Sequence, residues 1–301
     1  MPKSIKGRGT AMTLANYVEL CKVRIAVIIA LTAVIGYAAM AETLDGPTLA
    51  VLTLVMVLGS ASSSVFNHVW DRDIDALMKR TRRRPLVDAS AADRRRALIF
   101  AALLLTAGVG LAAVALNWLV AAHLFLGAFV YAVVYTVWLK RRTWWNIVVG
   151  GAAGSFAVLA GAAAVDPGLW GLPLLMAVIL FLWTPPHFWA LALLLKDDYR
   201  AANIPMLPAV VGPRRSAEAI LLNAALLVGA ALLPWILGAL GTLYGVVSLA
   251  FGLRYLLVNW RLLQDPEDRT RARHSFFGSM VYLMGVFLAV LLDRHLPGFW
   301  N

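Results

Sequence analysis

Cysteine and acidic side chains are scarce in this sequence. Cys21 is the only cysteine among 301 residues, which excludes an internal disulfide and a metal centre built from cysteines. Asp and Glu number 16 against 27 Lys and Arg, and charged residues make up only 14% of the chain. Hydrophobic residues make up 61%, and the mean hydropathy is +0.77. Because a soluble domain of this length would be less apolar, the composition indicates an integral membrane protein.

The formal net charge of +11 does not favour nucleic acid as a partner. The cations lie between apolar runs of about 20 residues, as they do in membrane proteins, and no nucleic-acid recognition motif is visible. We therefore expect membrane lipid, and no nucleic acid, among the partners. A cleavable signal is not predicted, since residues 1–15 are polar and basic and the first apolar run lacks a cleavage site.

Nine apolar segments are long enough to cross a bilayer, and only helices satisfy their backbone groups there. The predicted fold class is therefore an all-α polytopic membrane protein with nine transmembrane helices in one bundle. A single domain covers residues 25–293, preceded by a segment of residues 1–24 and followed by a tail of residues 294–301. The nine segments are Ile25–Met40, Pro47–Phe66, Ala97–Leu116, Trp118–Leu139, Trp145–Val165, Leu169–Leu195, Ala217–Leu240, Thr242–Trp260 and Phe276–Leu292.

Clusters of Lys and Arg predict the orientation. They precede the first segment and follow the second, fourth, sixth and eighth. By the positive-inside rule, the amino terminus and these loops are cytoplasmic, and the carboxyl-terminal tail is external.

The stretch from Asn67 to Leu86 places three aspartates beside a run of Lys and Arg. If the second helix continues, Asn67, Asp71 and Asp75 lie on one face, about 6 Å apart per step. Such oxygen ligands suit Mg²⁺, which commonly bridges carboxylates to substrate phosphates, and the neighbouring cations suit phosphate oxygens. An alternative interpretation is a salt-bridged helix end with solvated charges.

A diphosphate head at the membrane surface with a tail in the hydrocarbon points to a polyisoprenyl diphosphate substrate. Ionising its allylic carbon–oxygen bond requires a stabilised leaving group, which a metal and arginines supply. The 11 tryptophans could shield the resulting cation, although aromatic residues are also common at lipid interfaces.

The sixth segment contains Trp183-Thr184-Pro185-Pro186-His187-Phe188-Trp189. Two consecutive prolines predict a break in the helix, of the kind found where a cavity is lined. His187 is therefore a functional candidate, with a structural hydrogen bond between helices as the alternative. Of the other histidines, His123 is expected to be structural or interfacial, and His68 and His274 to be solvated at loop edges.

Asn67-x3-Asp71-x3-Asp75 resembles the first aspartate-rich motif of the intramembrane aromatic prenyltransferase superfamily. The chain is similar, more narrowly, to the branch of that superfamily that farnesylates heme. The residues that carry this narrower resemblance are Met78, Arg80-Thr81 and Arg84-Pro85-Leu86, then Tyr135-Thr136, Leu139-Lys140-Arg141 and Asn146, the Trp183–Trp189 block, Asp198-Tyr199, and Ile204-Pro205-Met206-Leu207-Pro208.

The resemblance implies an active cavity that opens to the cytoplasm of a bacterial inner membrane. It implies that Mg²⁺ is held by Asn67, Asp71, Asp75 and Asp198, and that His187 contacts heme B. The farnesyl group of farnesyl diphosphate would join a heme vinyl group, with water adding to the resulting cation. A heme A synthase or a terminal oxidase is an implied assembly partner, and the implied diphosphate-binding residues are Arg80, Arg84, Lys140 and Arg141.

Three departures from the family pattern affect expected shape rather than metal ligands. Val23 replaces a proline before the first segment, Ala157-Val158 replaces a proline pair in the fifth, and Val87-Asp88-Ala89 replaces a glycine-containing turn. The alternatives are a prenyltransferase acting on a quinone precursor or another tetrapyrrole, a transporter of lipid or heme, and an assembly protein without catalysis.

Overall fold

The computed structural model describes residues 12–168 and 170–296. Residues 1–11 of the predicted amino-terminal segment and residues 297–301 of the predicted tail lie outside the described residues. Leu169, the predicted first residue of the sixth segment, lies outside them as well.

Within these ranges nine helices are long and apolar enough to cross a membrane, which confirms the predicted all-α fold. We number them as spans one to nine. Shorter helices cover Leu14–Leu20, Arg72–Leu77 and Lys196–Ala201. The spans are Val23–Met40, Gly46–Trp70, Ala91–Ala115, Trp118–Leu139, Asn146–Ala163, Gly171–Leu194, Leu207–Ile236, Thr242–Gln264 and Arg269–His295.

Polar caps explain where four of the spans begin. Asp45, Ser90, Asn117 and Asp268 each accept a hydrogen bond from a backbone N–H in the first turn of the following helix. These side chains satisfy donors that have no partner inside the helix. The loops therefore end abruptly, and the apolar stretches start at defined residues.

The two spans that have prolines in the helix interior, six and seven, differ from what the sequence predicts. Span six runs without interruption from Gly171 to Leu194, so the break expected at Pro185 and Pro186 is not present. Both prolines are buried. The break lies instead in span seven, at Gly212, where φ is 81° and ψ is 171°. Only glycine adopts such a backbone conformation readily, and the helix resumes at Pro213, which suits a first helical turn.

Small residues bring spans one and five into backbone contact. A Cβ atom added at Gly36 or at Gly161 would collide with a main-chain carbonyl, that of Val158 or that of Ala33. Gly150 and Gly151, near the start of span five, pack against the side chains of Tyr135 and Thr184. Gly154 has open space beside it. The Ala157-Val158 departure therefore lies in a helix that packs directly on the backbone of span one.

We expect Gly161→Ala to lower the free energy of unfolding by about 2 kcal/mol, because the added methyl overpacks a backbone contact that cannot yield. Gly229→Ala is the matched control, since no atom lies within 4 Å of a Cβ added there. Denaturant unfolding of both variants in detergent measures the difference. Equal stability of the two variants would contradict the contact.

Candidate active site

The first aspartate motif lies where span two ends. Span two stops at Trp70, and Asp71 (φ −87°, ψ 1°) is followed by the short helix Arg72–Leu77. The helix is therefore interrupted at the motif, contrary to the single continuous helix assumed from the spacing. The four-residue hydrogen bonds persist, because Asp71 N donates to Asn67 O at 2.9 Å and Asp75 N to Asp71 O at 2.8 Å. Asn67 Nδ2 also donates to Asp71 Oδ2 at 2.6 Å.

Cations from separate segments neutralise the buried carboxylates. Asp71 is 0% exposed and Asp75 is 1% exposed, so each needs a positively charged partner. Lys140 Nζ donates to Asp71 Oδ2. Arg84 NH1 donates to both oxygens of Asp75, at 2.9 and 2.8 Å. Two of the four residues predicted to bind diphosphate thus form hydrogen bonds with the predicted metal ligands.

Lys22 is a third cation at this site that the sequence did not single out. Its Nζ donates to Asn67 Oδ1 at 2.9 Å. Burial, together with the charges of Arg84 and Lys140, lowers the pKa of Lys22 to about 7. The residue has a positive φ of 45°, a strained conformation of the kind found at functional sites. It immediately precedes Val23, the first residue of span one.

Asp73 and Arg141 form a separate pair beside the motif. Arg141 donates to both oxygens of Asp73 at 2.7 Å and to Trp70 O at 2.9 Å. The hydrogen bond with Arg141 is the main cause that lowers the pKa of Asp73, and the same bond raises the pKa of Arg141. Arg141 NH2 is 3.9 Å from Asp71 Oδ1. Arg141 is thus close to the buried carboxylate of Asp71, but its hydrogen bonds are with the exposed Asp73 and with Trp70 O.

The inner half of span four is a π-helix, Val130–Leu139. π-helical turns are rare and frequently occur at functional sites. Thr136 within it accepts a hydrogen bond from Asn67 Nδ2 at 3.1 Å. Tyr131 and Tyr135 stack with ring centroids 5.6 Å apart, and Lys140 Nζ lies 5.8 Å from the centre of the Tyr135 ring.

A polar cavity of about 310 Å³ lies against the motif. Charged and hydrophobic side chains both line it, and the exposed Arg80 is one of them. Its lining comprises Glu19, Lys22, Ile25, Asn67, His68, Asp75, Met78, Arg80, Arg84, Tyr131, Tyr135, Lys140, Phe188 and Tyr199.

The prediction that His68 is solvated at a loop edge is wrong. His68 is 2% exposed, lies within span two and lines the polar cavity. Neither ring nitrogen has a hydrogen-bond partner among the described residues. Two unsatisfied polar atoms in a buried position indicate a place where a ligand or water supplies the partners. No local signal in the sequence distinguishes it from a residue at a helix end.

An apolar cavity of about 270 Å³ adjoins the polar one. Ile25, Tyr131 and Tyr135 line both cavities, so the two tyrosines lie at their junction. The rest of the apolar wall comes mainly from spans two, four and five. It includes Met56, Gly59, His123, Gly127, Gly151, Gly154 and Phe156.

The short helix Lys196–Ala201 contacts the segment that follows the first motif through the side chain of Asp198. Asp198 Oδ1 accepts a hydrogen bond from Lys79 N at 3.2 Å, whereas the neighbouring Tyr199 lines the polar cavity. In the part of the chain that the structure describes, no group of three or more His, Cys, Asp or Glu side chains is close enough to hold a metal ion. Asp198 is therefore near the motif but not assembled with Asp71 and Asp75.

The side chains of the first motif nevertheless fit a hard divalent cation. The side-chain atoms that could bind a metal ion are all oxygen atoms, which Mg²⁺ prefers as ligands. Mg²⁺ needs only one or two carboxylates when phosphates and waters complete its coordination shell. Asp71 Oδ1 is buried and has no hydrogen-bond partner within residues 12–168 and 170–296. That orphaned acceptor is a position where a cation would replace a missing interaction.

His187 lies between two aromatic rings. Its ring centroid is 4.2 Å from that of Trp183 and 4.7 Å from that of Phe276. His187 Nδ1 is 2.7 Å from Ser279 Oγ, and that hydroxyl donates to Phe276 O at 2.6 Å. Because the only hydroxyl proton is used, Nδ1 must be the protonated nitrogen and Nε2 carries the lone pair. The hydrogen bond between helices and the aromatic stacking are both present.

The remaining histidines differ in burial. His123 is 6% exposed and lines the apolar cavity, which does not fit an interfacial position. His274 is exposed, as predicted.

These features define a membrane-embedded site that holds buried acidic and basic groups beside an apolar cavity. The model of the UbiA prenyltransferase family matches residues 26–281. The chain therefore belongs to the UbiA prenyltransferase family.

Within that family, curated relatives carry a more specific name. Protoheme IX farnesyltransferase 1 of Paramagnetospirillum magneticum is 57% identical over 284 residues, covering 94% of this chain and all of the relative. Protoheme IX farnesyltransferase 2 of the same organism is 46% identical over 279 residues, covering 92% and 96%.

A solved structure shares the fold. The UbiA homologue from Archaeoglobus fulgidus bound to GPP and Mg²⁺ has a TM-score of 0.70 and 18% sequence identity. The alignment covers 91% of this chain and 99% of that one.

We expect Lys140→Gln to lower the free energy of unfolding by about 3 kcal/mol, because it leaves the buried Asp71 without its charged partner. Arg214→Gln breaks an exposed pair with Glu218 and should cost at most about 0.5 kcal/mol. Denaturant titration of both variants in detergent compares the pairs. A small loss in Lys140→Gln would show that Asp71 is compensated in another way.

Proposed function

We propose that the protein transfers the farnesyl group of farnesyl diphosphate to a vinyl group of heme B, producing heme O and diphosphate. The reaction breaks the allylic carbon–oxygen bond of the diphosphate and forms a carbon–carbon bond to the terminal vinyl carbon. Water then adds to the remaining vinyl carbon and releases a proton. The names of the curated relatives support this reaction.

The observation that carries the proposal is the pair of adjoining cavities. One is lined by cations and carboxylates and the other by apolar side chains, and they share Tyr131 and Tyr135. A prenyl diphosphate has the same division, with an anionic head and a hydrocarbon tail. The substrate would bind with its reacting carbon at the junction, between the two tyrosines.

The diphosphate head would lie in the polar cavity. Arg80, Arg84, Lys22 and Lys140 line it and can donate charge-assisted hydrogen bonds to phosphate oxygens. Arg84 and Lys140 are also paired with Asp75 and Asp71, so they would link the diphosphate to the acidic motif.

Mg²⁺ would be held by Asn67, Asp71 and Asp75, with Asp198 as a further ligand from the facing loop. When bound, it would supply electrostatic stabilisation of the leaving diphosphate. The UbiA homologue bound to GPP and Mg²⁺ supports a divalent cation at this kind of site. Arg141, 3.9 Å from Asp71 Oδ1, would hold the outer side of the diphosphate.

The tyrosines at the junction would protect the allylic cation. Both rings belong to the π-helical part of span four. The faces of aromatic rings carry the negative part of the quadrupole, which attracts cations. The adjoining wall is apolar, so water is excluded from the tail side of the reacting carbon.

His187 is the proposed contact for heme B. Its protonated Nδ1 is fixed by Ser279, which leaves Nε2 as the nitrogen able to bind iron. Metal-binding histidines commonly donate their second ring N–H in this way. Trp183 and Thr184 line the apolar cavity, and Phe188 lines the polar one. His187 is therefore adjacent in sequence to a residue of the polar wall and about one helical turn from two residues of the apolar wall.

We further propose that the chain acts as one nine-span domain, residues 25–293, in a bacterial inner membrane. The amino terminus and the polar cavity would face the cytoplasm and the carboxyl-terminal tail would be external, as the positive-inside rule predicts. A heme A synthase or a terminal oxidase would receive the product.

Asp71→Asn should lower the turnover of heme B to heme O by about 10² to 10³-fold, because it removes a charge that positions the leaving group and the metal. The measurement is incubation with heme B, farnesyl diphosphate and Mg²⁺, followed by mass identification of the pigment. Asp73→Asn is the matched control, since Asp73 pairs with Arg141 on the exposed side. Full turnover in Asp71→Asn would overturn the assignment.

His187→Ala should weaken the binding of heme B about tenfold or more, measured by titration of the heme absorption band. Binding of farnesyl diphosphate should be unchanged, because His187 is not on the polar cavity wall. The exposed His274→Ala provides the control. An equal loss of both ligands would indicate that His187 supports the fold.

A further inference from the structure

The apolar cavity ends at a side chain with no assigned role. On span four its lining includes His123, Gly127, Tyr131 and Tyr135, spaced by four residues along one face. His123 is the lining residue of that span farthest from the polar cavity. On span two the lining starts at Met56 and continues toward Asn67. Residues of both helices therefore line the cavity along its depth.

Aromatic rings close this end. The His123 ring centroid is 6.1 Å from that of Phe156 and 6.2 Å from that of Trp170. Phe156 also lines the cavity. His123 itself is 6% exposed. Its Nδ1 has no hydrogen-bond partner among the described residues.

The depth of the cavity matches a chain of limited length. Tyr131 lies eight residues from His123, which is about 12 Å at the α-helical rise of 1.5 Å per residue. Tyr135 lies four residues further on, in the π-helix, where the rise per residue is smaller. A carbon placed midway between the tyrosines would therefore be about 14 Å from His123. One isoprene unit adds four chain bonds, or about 4.5 Å when extended. Three units thus reach about 14 Å, and four would reach about 18 Å.

We propose that His123, supported by Phe156 and Trp170, limits the prenyl chain to three isoprene units. The inference rests on the proposed prenyl transfer and adds the residue that selects the donor. A fourth unit would have to displace the imidazole from its contacts with both rings. A donor with two units would leave the end of the cavity unfilled.

Donor competition tests the proposal. Equimolar geranyl, farnesyl and geranylgeranyl diphosphates are incubated with heme B and Mg²⁺, and the products are resolved by mass. The unmodified protein should give mainly the farnesyl product. His123→Ala should raise the ratio of geranylgeranyl to farnesyl product about tenfold or more, and His123→Trp should shift the ratio toward geranyl by a similar factor. Unchanged ratios in both folded variants would overturn the proposal.

Two controls separate chain-length selection from other effects. Phe125→Ala changes an exposed aromatic residue of the same span and should leave all ratios unchanged. If His123→Ala does not fold, Phe156→Ala opens the same end of the cavity and should give the same shift toward the longer donor.

A binding assay without heme distinguishes this inference from the proposed reaction. The three prenyl diphosphates are compared by their protection of the protein against thermal unfolding. A preference for farnesyl diphosphate that moves to the longer chain in His123→Ala supports length selection, even if no heme product forms. Absence of heme product in the unmodified protein would overturn the proposed reaction alone, and equal protection by all three chains would overturn the length limit.

Discussion

The buried carboxylates of Asp71 and Asp75 impose the constraint on which the rest of this structure depends. Two negative charges removed from water at the end of span two are unfavourable unless cations approach them closely. Arg84 and Lys140 supply those cations, while Lys22 holds the adjoining Asn67. The cations come from separate segments, so the ends of spans one, two and four must converge. The polar cavity forms where they converge, and the same cations are available for a diphosphate.

The π-helical half of span four connects this charged end with the apolar interior. It places Thr136 against Asn67 and Tyr131 and Tyr135 at the boundary of the two cavities. One helix face therefore continues from Lys140, at the acidic motif, to His123, at the closed end. A substrate with an anionic head and an apolar tail would therefore contact span four along its whole length. Lys140 would bind the head by its charge, and His123 would limit the length of the tail.

Small residues let the helices around the apolar cavity pack closely while leaving the cavity itself open. Span one contacts the backbone of span five at Gly36 and Gly161, whereas Gly154 has open space on its side of span five. The Ala157-Val158 pair, which departs from the family pattern, lies in this contact between spans one and five. Val158 is fully buried and its carbonyl lies against Gly36, so this stretch packs on span one, while Ala157 contributes to the cavity wall.

The nine spans follow from the sequence alone, because hydropathy and helix length are local properties. The proximity of Asn67, Asp71 and Asp75 follows from it too, since hydrogen bonds four residues apart persist across the helix end. The pairing of Asp73 with Arg141, the lining of the polar cavity by Tyr199 rather than Asp198, and the positions there of the buried His68 and the half-buried Lys22 depend on the tertiary structure. Burial and charge pairing depend on segments distant in sequence, and local periodicity carries no information about which of them meet.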